Sequence, residues 1–498
     1  MIKYLYLIFS IAILYLSIQD ANAKGYELKV RIKNLAGKEI ILGHHFADKL
    51  FSDCTLKLDS QGFGVLKGNA KFPEGLYFFM TPSHAMFDFF MTSKQKFTAE
   101  SDTLDLFDNL KFTSSPENTA AQEYLKFIVT RQKESAAIKE HMKTLSDSTE
   151  IKKEDSRLKE ISNESESRVN KLVNRQRKNF VGQFIKALQE IKIPEPPRDS
   201  EGKIVDSTFQ YRYYRSHFFD NMNLNDKRFL RSPVYDEKIK KYLDKVVPKI
   251  PDTISTECDK LLTIAENDPD LFRYMVVTLF NKYATSTIMG FDAVYVHIAE
   301  NWYIPKATFS DTAFIRQTRE NVAALKPLLL GQTAADLHML SLPEDHFIQA
   351  KTDTVVQKDP HAGTFIDLHQ VQAKYTILAF WESDCSHCKK VIPELYQVYQ
   401  RLKPKGVEVF AVHMLGGIEG KQKWISFVNE HQLYDWLNVW NPYDFGYKKV
   451  YDIRTTPTIF ILDQDKKIIG KKLEPSQIED FLTNRIQRDE RNSQLKKL

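Results

Sequence analysis

Hydrophobic and polar positions follow different periods in successive parts of the chain. In the first part, short runs such as YELKVRI place an apolar residue at every second position, and turns such as DSQGFG separate the runs. A period of two with glycine-bearing turns is typical of half-buried strands. The pattern predicts a small β-sandwich or barrel over residues 24–115.

The period becomes helical over residues 116–330. Apolar residues between Ile151 and Val173 recur at spacings near three, four and seven, with charged residues between them. The polar run at 146–149 supplies a helix N-cap, so we expect a long helical hairpin. Prolines and a glycine at 193–206 interrupt the helices and predict an exposed loop or linker.

Strands and helices alternate over residues 331–490. The continuous apolar run at 375–380 is typical of a strand buried on both faces of a parallel sheet. Further strands are predicted at 407–413 and 437–440, followed by a β-hairpin and a closing helix from Pro475. These patterns predict a multidomain α+β protein whose C-terminal α/β domain has a central mixed sheet, with residues 491–498 as a tail.

The N-terminus has the layout of a secretory signal peptide. Lys3 precedes an apolar run from Tyr4 to Ile18, and a small-x-small ending follows at Ala21 and Ala23. The run is short for a bilayer span, which needs roughly 20 residues, so we expect residues 1–23 to be cleaved and the protein exported without a membrane span.

The net charge is only +5 over 498 residues, and basic residues do not form a polybasic run with interleaved aromatics. Nucleic acid is therefore not an expected partner. Isolated histidines at positions 44, 45 and 297 have no ligand set nearby in the sequence. We interpret them as ordinary structural histidines.

The chain has only four cysteines, too few for a disulfide-stapled scaffold. Cys54 and Cys258 are far apart and are interpreted as reduced, buried thiols, with a bridge between them as the alternative. Cys385 and Cys388 form a C-x-x-C pair directly after the buried strand, where a helix is expected to begin. Such a pair can be a redox couple, half of a metal site or two neighbouring thiols.

The motifs around this pair resemble the TlpA/ResA-like branch of exported thioredoxin-fold proteins. Trp381 stands four residues before Cys385, Pro393 five residues after Cys388, and Thr456–Pro457 lies at the position of the family's cis-proline. The resemblance covers roughly the last third of the chain. It implies a thioredoxin-like domain, a redox-active disulfide between the two cysteines, and a periplasmic location in a Gram-negative envelope.

The expected chemistry assigns different roles to the two cysteines. A thiolate is the attacking species, and the positive end of a helix dipole favours it at Cys385, the predicted nucleophile. Cys388, one turn later and more buried, is the predicted resolving thiol. Trp381, Ser386 and His387 are expected to tune the site, and in the family a histidine between the cysteines accompanies oxidation or isomerisation.

The resemblance also implies a substrate shelf at Thr456 and Pro457, where an extended substrate strand pairs with the backbone. Two positions depart from the family. Thioredoxin has a buried aspartate where this chain has Ala379, and ResA-like proteins have a glutamate where it has Val391. Without either carboxylate, fast reductase behaviour and a dedicated role in cytochrome maturation are not expected.

The cysteine pair also allows other interpretations. Cys385, His387, Cys388 and His413 could bind copper or zinc, but the second half of a zinc motif is missing. A peroxiredoxin needs proline and threonine before its cysteine, and this chain has leucine and glutamate there. A further alternative is an envelope binding or scaffold protein whose thioredoxin-like domain is weakly active or redox-silent.

We therefore predict a periplasmic enzyme, a thioredoxin-like thiol–disulfide oxidoreductase that exchanges disulfides with envelope proteins. It requires no cofactor and no metal. Its expected partners are protein thiols or disulfides and an unidentified electron donor or acceptor.

Overall fold

The computed structural model describes residues 25–359 and 362–495, so the predicted signal peptide at 1–23 lies outside the described residues. The chain divides into two compact units between Val247 and Pro248. This division falls inside the predicted helical region, and the domain limits drawn from the sequence remain predictions.

Strands of the first unit form a two-sheet β-sandwich, as predicted. Leu28, Val30 and Ile32 alternate inward on the first strand and are fully buried, in one core with residues of both sheets. The strands are β1 (Tyr26–Lys33), β2 (Glu39–Phe46), β3 (Lys49–Lys57), β4 (Phe63–Gly68), β5 (Gly75–Met80), β6 (Met86–Met91), β7 (Lys96–Asp102) and β8 (Lys111–Thr113). They are ordered β4-β1-β7-β8 in one sheet and β3-β2-β5-β6 in the other.

A helical hairpin follows the sandwich, in agreement with the sequence. Its first two helices pack against each other, and the Asp147 carboxylate caps the second by accepting the Thr149 N–H at 2.7 Å. The helices of this unit are α1 (Pro116–Met142), α2 (Ser148–Arg175), α3 (Phe180–Ala187), α4 (Phe209–His217) and α5 (Pro233–Lys241), with a π-helical turn at Tyr242–Val246.

The second unit starts with a helical bundle. Cys258, Leu262 and Leu279 are fully buried in it and supply part of its apolar interior. The helices are α6 (Pro251–Ala265), α7 (Pro269–Ala284), α8 (Asp292–Ile298), α9 (Ile304–Lys306) and α10 (Thr312–Leu325), and a π-helical turn at Ala299–Tyr303 joins α8 to α9. In the part of the chain that the structure describes, no helix has the length and hydrophobicity to cross a membrane.

A mixed sheet forms the centre of the rest of this unit. Its elements are β9 (His338–Ser341), α11 (Glu344–Gln349), α12 (Thr354–Lys358), β10 (Thr364–Asp367), β11 (Tyr375–Trp381), α13 (Cys388–Leu402), β12 (Val407–His413), α14 (Gly417–His431), β13 (Leu437–Trp440), α15 (Tyr447–Val450), β14 (Thr458–Asp463), β15 (Ile468–Lys471) and α16 (Pro475–Leu495). The strand order is β10-β9-β13-β12-β11-β14-β15. This arrangement confirms the predicted thioredoxin-like fold class.

The central strand β11 is buried on both faces, which explains its continuous apolar sequence. Ile377 and Trp381 belong to the core under α13, α14 and α16, whereas Leu378 and Phe380 belong to the core on the opposite face. Parallel pairing with β12 sets Trp381 beside His413 at the strand ends. The loop that carries the cysteines leaves the sheet at this end.

The helical bundle of the second unit contacts the edge strand β15 of the sheet. Lys471 on β15 forms an ion pair with Asp292 at the start of α8, and both side chains are less than a tenth exposed. The connecting segment also pairs with the strand, because the Gly331 N–H donates to the Ile468 carbonyl at 2.7 Å and the Ile468 N–H donates to the Gln332 carbonyl at 2.8 Å. Backbone bonds and a buried ion pair therefore fix this contact.

Candidate active site

The two cysteines lie between the end of β11 and the beginning of α13. The helix begins at Cys388, so Cys385 occupies the turn before it and the helix starts later than the first cysteine. The Cys385 N–H donates to the Glu382 carbonyl at 3.3 Å, and its carbonyl accepts the Lys389 N–H at 3.0 Å. These backbone bonds hold the first cysteine at the helix entrance.

The Cys385 sulfur sits among hydrogen-bonding groups and is partly exposed. It lies 3.4 Å from the Thr456 carbonyl oxygen and accepts the Cys388 backbone N–H at 3.4 Å. Partial burial alone would raise the pKa of this thiol. Hydrogen bonding with the Thr456 side chain and with the Cys388 amide outweighs burial and leaves the pKa below its ordinary value.

Cys388 has the opposite environment. Its side chain is fully buried, and burial is the main reason that its pKa rises to about 12, with a smaller contribution from the neighbouring Cys385. Both cysteines are free thiols in the structure, so the predicted disulfide between them remains a prediction. The asymmetry makes Cys385 the more acidic and more accessible thiol of the pair.

The acidic residues before the pair are matched by lysines from other elements. The Glu382 carboxylate lies 4.0 Å from the Lys448 ammonium of α15, and Asp384 lies 3.4 Å from the Lys423 ammonium of α14. From sequence, both carboxylates oppose a thiolate at Cys385. Their pairing with lysines weakens that opposition, and no local sequence signal indicates these partners.

Trp381 and His413 lie in the core behind the cysteines. Trp381 is fully buried with its ring 5.0 Å from that of His413, which stacks on Trp424 at 5.3 Å. The His413 Nε2 atom lies 3.0 Å from the Ser383 hydroxyl. Burial, and secondly the charge of Lys448, lowers the pKa of His413 to about 3, so the ring is neutral at physiological pH.

The metal alternative gains no support from the geometry. Within residues 25–359 and 362–495, no group of three histidine, cysteine, aspartate or glutamate side chains is arranged to hold a metal ion. Ser386 and His387 are exposed at the surface beside the pair. The Thr456–Pro457 bond is cis, and this loop precedes β14 opposite Cys385.

A cleft of about 580 Å³ opens beside these residues in the second unit. His387 and the loop from Thr455 to Thr458 contribute to one side of it. Residues of α7, α8 and α10 line the other side, among them Ala284, Tyr295 and Asn321. No pattern along the chain indicates that the helical bundle reaches the cysteine loop.

The surroundings of Cys54, Cys258 and His297 fit structural roles. Cys54 and Cys258 are free thiols, but only Cys258 is buried; Cys54 is half-buried, so the expectation of burial is wrong for it. Burial raises the pKa of Cys258 to about 12. His297 is half-buried, with Nε2 2.8 Å from the Asp259 carboxylate, which also accepts the Trp302 indole N–H at 2.6 Å. We therefore retain the structural interpretation of His297.

The fold and the asymmetric cysteine pair define a thioredoxin-fold protein. A family model described as thioredoxin-like matches residues 372–468, and a model described as a domain of unknown function matches residues 146–326. The thiol–disulfide oxidoreductase ResA of Bacillus thuringiensis subsp. konkukian is 30% identical over 125 residues, which are 24% of this chain and 68% of that protein. The chain belongs to the ResA-like thiol–disulfide oxidoreductase family.

Other relatives match a similar share of the chain. ResA of one strain of Bacillus cereus is 31% identical over 111 residues, 22% of this chain and 60% of that protein, so the chain spans less than two thirds of the length of this relative. A solved domain of a possible thiol-disulfide isomerase from Cytophaga hutchinsonii shows 34% identity, covering 33% of this chain and 97% of that domain with a TM-score of 0.27. A thioredoxin-like protein from Bacteroides caccae shows 18% identity, covering 59% of this chain and 99% of that protein with a TM-score of 0.43.

Proposed function

We propose that the protein is a periplasmic thiol–disulfide oxidoreductase that acts through Cys385 and Cys388. The observation that carries this proposal is the opposite environment of the two thiols. Cys385 is partly exposed with a lowered pKa, whereas Cys388 is fully buried with a raised pKa. This asymmetry suits one cysteine to attack a substrate and the other to resolve the product.

The disulfide exchange proceeds in two steps. The Cys385 thiolate attacks one sulfur of a substrate disulfide, forms a mixed disulfide and releases the other substrate sulfur as a thiolate. Cys388 then loses its proton and attacks the Cys385 sulfur, which forms the Cys385–Cys388 disulfide and releases the second substrate thiolate. The substrate gains two electrons and the enzyme loses two, and the reverse sequence oxidises a substrate dithiol.

The direction that the site favours is oxidation or isomerisation. Hydrogen bonds that stabilise the Cys385 thiolate stabilise the reduced enzyme and make its disulfide a stronger oxidant. Ala379 and Val391 are buried apolar residues, 0% and 3% exposed, so neither position offers a carboxylate to accept the Cys388 proton. Trp381 and His387 act on the thiolate from the core side and the solvent side of the pair.

Thr456 and Pro457 form the substrate shelf in this proposal, because the Thr456 carbonyl already lies at the reacting sulfur. The proposed substrates are protein thiols and disulfides of the cell envelope. An electron donor or acceptor then returns the two cysteines to their starting oxidation state. The periplasmic location rests on the apolar run and small-x-small ending within residues 4–23.

The reduction potential of the pair tests the proposal. Mass-tagged thiol trapping in glutathione buffers should give one intramolecular disulfide with a potential of about −120 to −200 mV. C388S should accumulate a mixed disulfide at Cys385 with a disulfide substrate, whereas C385S, the matched control, should not. If no intramolecular disulfide forms at any potential, the redox function is wrong and the scaffold alternative replaces it.

A further inference from the structure

The cleft beside the cysteine loop has two walls of different origin. One wall belongs to the thioredoxin-like domain and includes His387, Thr455 and Pro457. The other wall belongs to the helical bundle and includes Ala284 at the end of α7 and Asn321 on α10. Whatever reaches the sulfur of Cys385 along the Thr455–Thr458 loop therefore also meets the helical bundle.

The helical wall is held firmly against the redox domain. The Arg454 guanidinium donates to the Asn321 side-chain oxygen at 3.1 Å across the cleft. Lys471 is buried, pairs with Asp292, and donates to the Leu328 carbonyl. These contacts satisfy the buried ammonium group and connect the helical wall to β15.

The charged groups of the cleft largely neutralise one another. Lys471 pairs with Asp292, and the Arg454 guanidinium donates to the Asp452 carboxylate at 2.9 Å. Lys472 and Glu474 add one charge of each sign to the same rim. Such a cleft offers no excess charge for an ionic ligand, and its volume of about 580 Å³ lies within the range of about 300–1,000 Å³ for ligand-binding clefts.

We propose that helices α7, α8 and α10 select the substrate of the redox site. An extended, uncharged polypeptide segment next to the substrate cysteine lies in the cleft, with its backbone along the Thr455–Thr458 loop and its side chains against Ala284 and Asn321. Main-chain hydrogen bonds supply affinity and the side-chain contacts supply specificity, as in other complexes that add a strand. This inference rests on the proposed thiol–disulfide exchange and adds the class of substrate.

Two alanines provide a matched pair of substitutions for the test. Ala284 and Ala323 are both exposed on helices of the bundle, but only Ala284 lines the cleft. In the full chain, A284W should obstruct the cleft and lower kcat/KM for a neutral cysteine-peptide disulfide by about tenfold or more, because binding contacts are lost. Its rate with the small disulfide DTNB should stay within about twofold of the parent rate, and A323W should leave both rates unchanged.

Charge substitutions give a second readout that a merely structural effect would not produce. A284D should favour lysine-flanked over glutamate-flanked peptides, and A284K should reverse that preference. Equal peptide rates in A284W and A323W, or no change of preference in A284D and A284K, would overturn the inference. Failure of the unsubstituted protein to react with DTNB and form its internal disulfide would instead overturn the proposed function.

Discussion

The unequal acidity of the two thiols predicts a large difference in their alkylation rates. Cys388, with a pKa of about 12, is ionised in only about one molecule in 100,000 at pH 7. Cys385, with a pKa below its ordinary value, is ionised in at least about one molecule in 100. Ionisation therefore favours Cys385 by about 1,000-fold or more.

The greater intrinsic nucleophilicity of the Cys388 thiolate offsets part of this difference in ionisation. Nucleophilicity rises with thiol pKa with a Brønsted coefficient of about 0.45, so three units of pKa favour the Cys388 thiolate by a factor of about 20. The net expectation is that Cys385 reacts about 50-fold faster or more. The complete burial of Cys388 increases the ratio further, because the reagent cannot reach its sulfur without local opening.

The assay is limited alkylation of the reduced protein with iodoacetamide at pH 7, followed by peptide fragmentation that locates the label. In denaturant, where both thiols have ordinary environments, the two rates should be nearly equal. The C388S variant keeps the backbone amide that donates to Cys385, so the reactivity of Cys385 should persist. Comparable rates at the two cysteines in the folded protein would refute the reasoning from burial and hydrogen bonding.

Three further predictions concern stability. The pKa of His413 is about 3 in the folded protein and near 6.5 in the unfolded protein, so below pH 6.5 the unfolded state binds more protons. The free energy of unfolding should therefore decrease as the pH falls from about 6 to 4, by up to about 1.4 kcal/mol per pH unit. In urea titrations at a series of pH values, H413Q should show a smaller decrease. K471M should lower the free energy of unfolding by about 3 kcal/mol by leaving Asp292 unpaired, and K471M/D292L should recover most of it; additive losses would contradict the buried ion pair. D147A should cost about 1 kcal/mol and speed hydrogen exchange at the start of α2, whereas D147N should not.

The strands that cross the middle of the sheet were the easiest elements to predict. The expected limits 407–413 and 437–440 match β12 and β13, because these largely buried strands are mostly apolar, with Glu408 and Asn438 as their polar interruptions. The sequence pattern does not predict the four-residue strands β9 and β10. Their place in the sheet depends on pairing between β9 and β13, about a hundred residues away, and no local period encodes such a contact.

In the candidate site, too, the features set by neighbouring residues are predictable from the sequence, and those set by distant residues are not. The greater burial of Cys388 follows from a helix that begins after a buried strand, and this prediction is confirmed. The lysines that pair with Glu382 and Asp384 come from α15 and α14, and the helical wall of the cleft comes from residues before 330. These features arise only when separate elements meet, so composition and spacing do not reveal them.

The sequence of residues 445–453 has a helix-like pattern, but the structure forms only the single turn α15 there. Asp452 adopts a positive φ of 45°, which a continuing right-handed helix does not allow. The local apolar pattern favoured a longer helix, and the turn toward the cis-proline loop overrode it.

The buried ion pair between Lys471 and Asp292 links the evolution of two segments of the chain. A recombination event that joined the thioredoxin-like domain to a different helical segment would bury Lys471 without its counter-charge. Such a chimaera would be destabilised unless the new segment also supplied a carboxylate or Lys471 were replaced by an uncharged residue. The ion pair at the sheet edge thus favours exchange of the helical bundle and the thioredoxin-like domain as one unit.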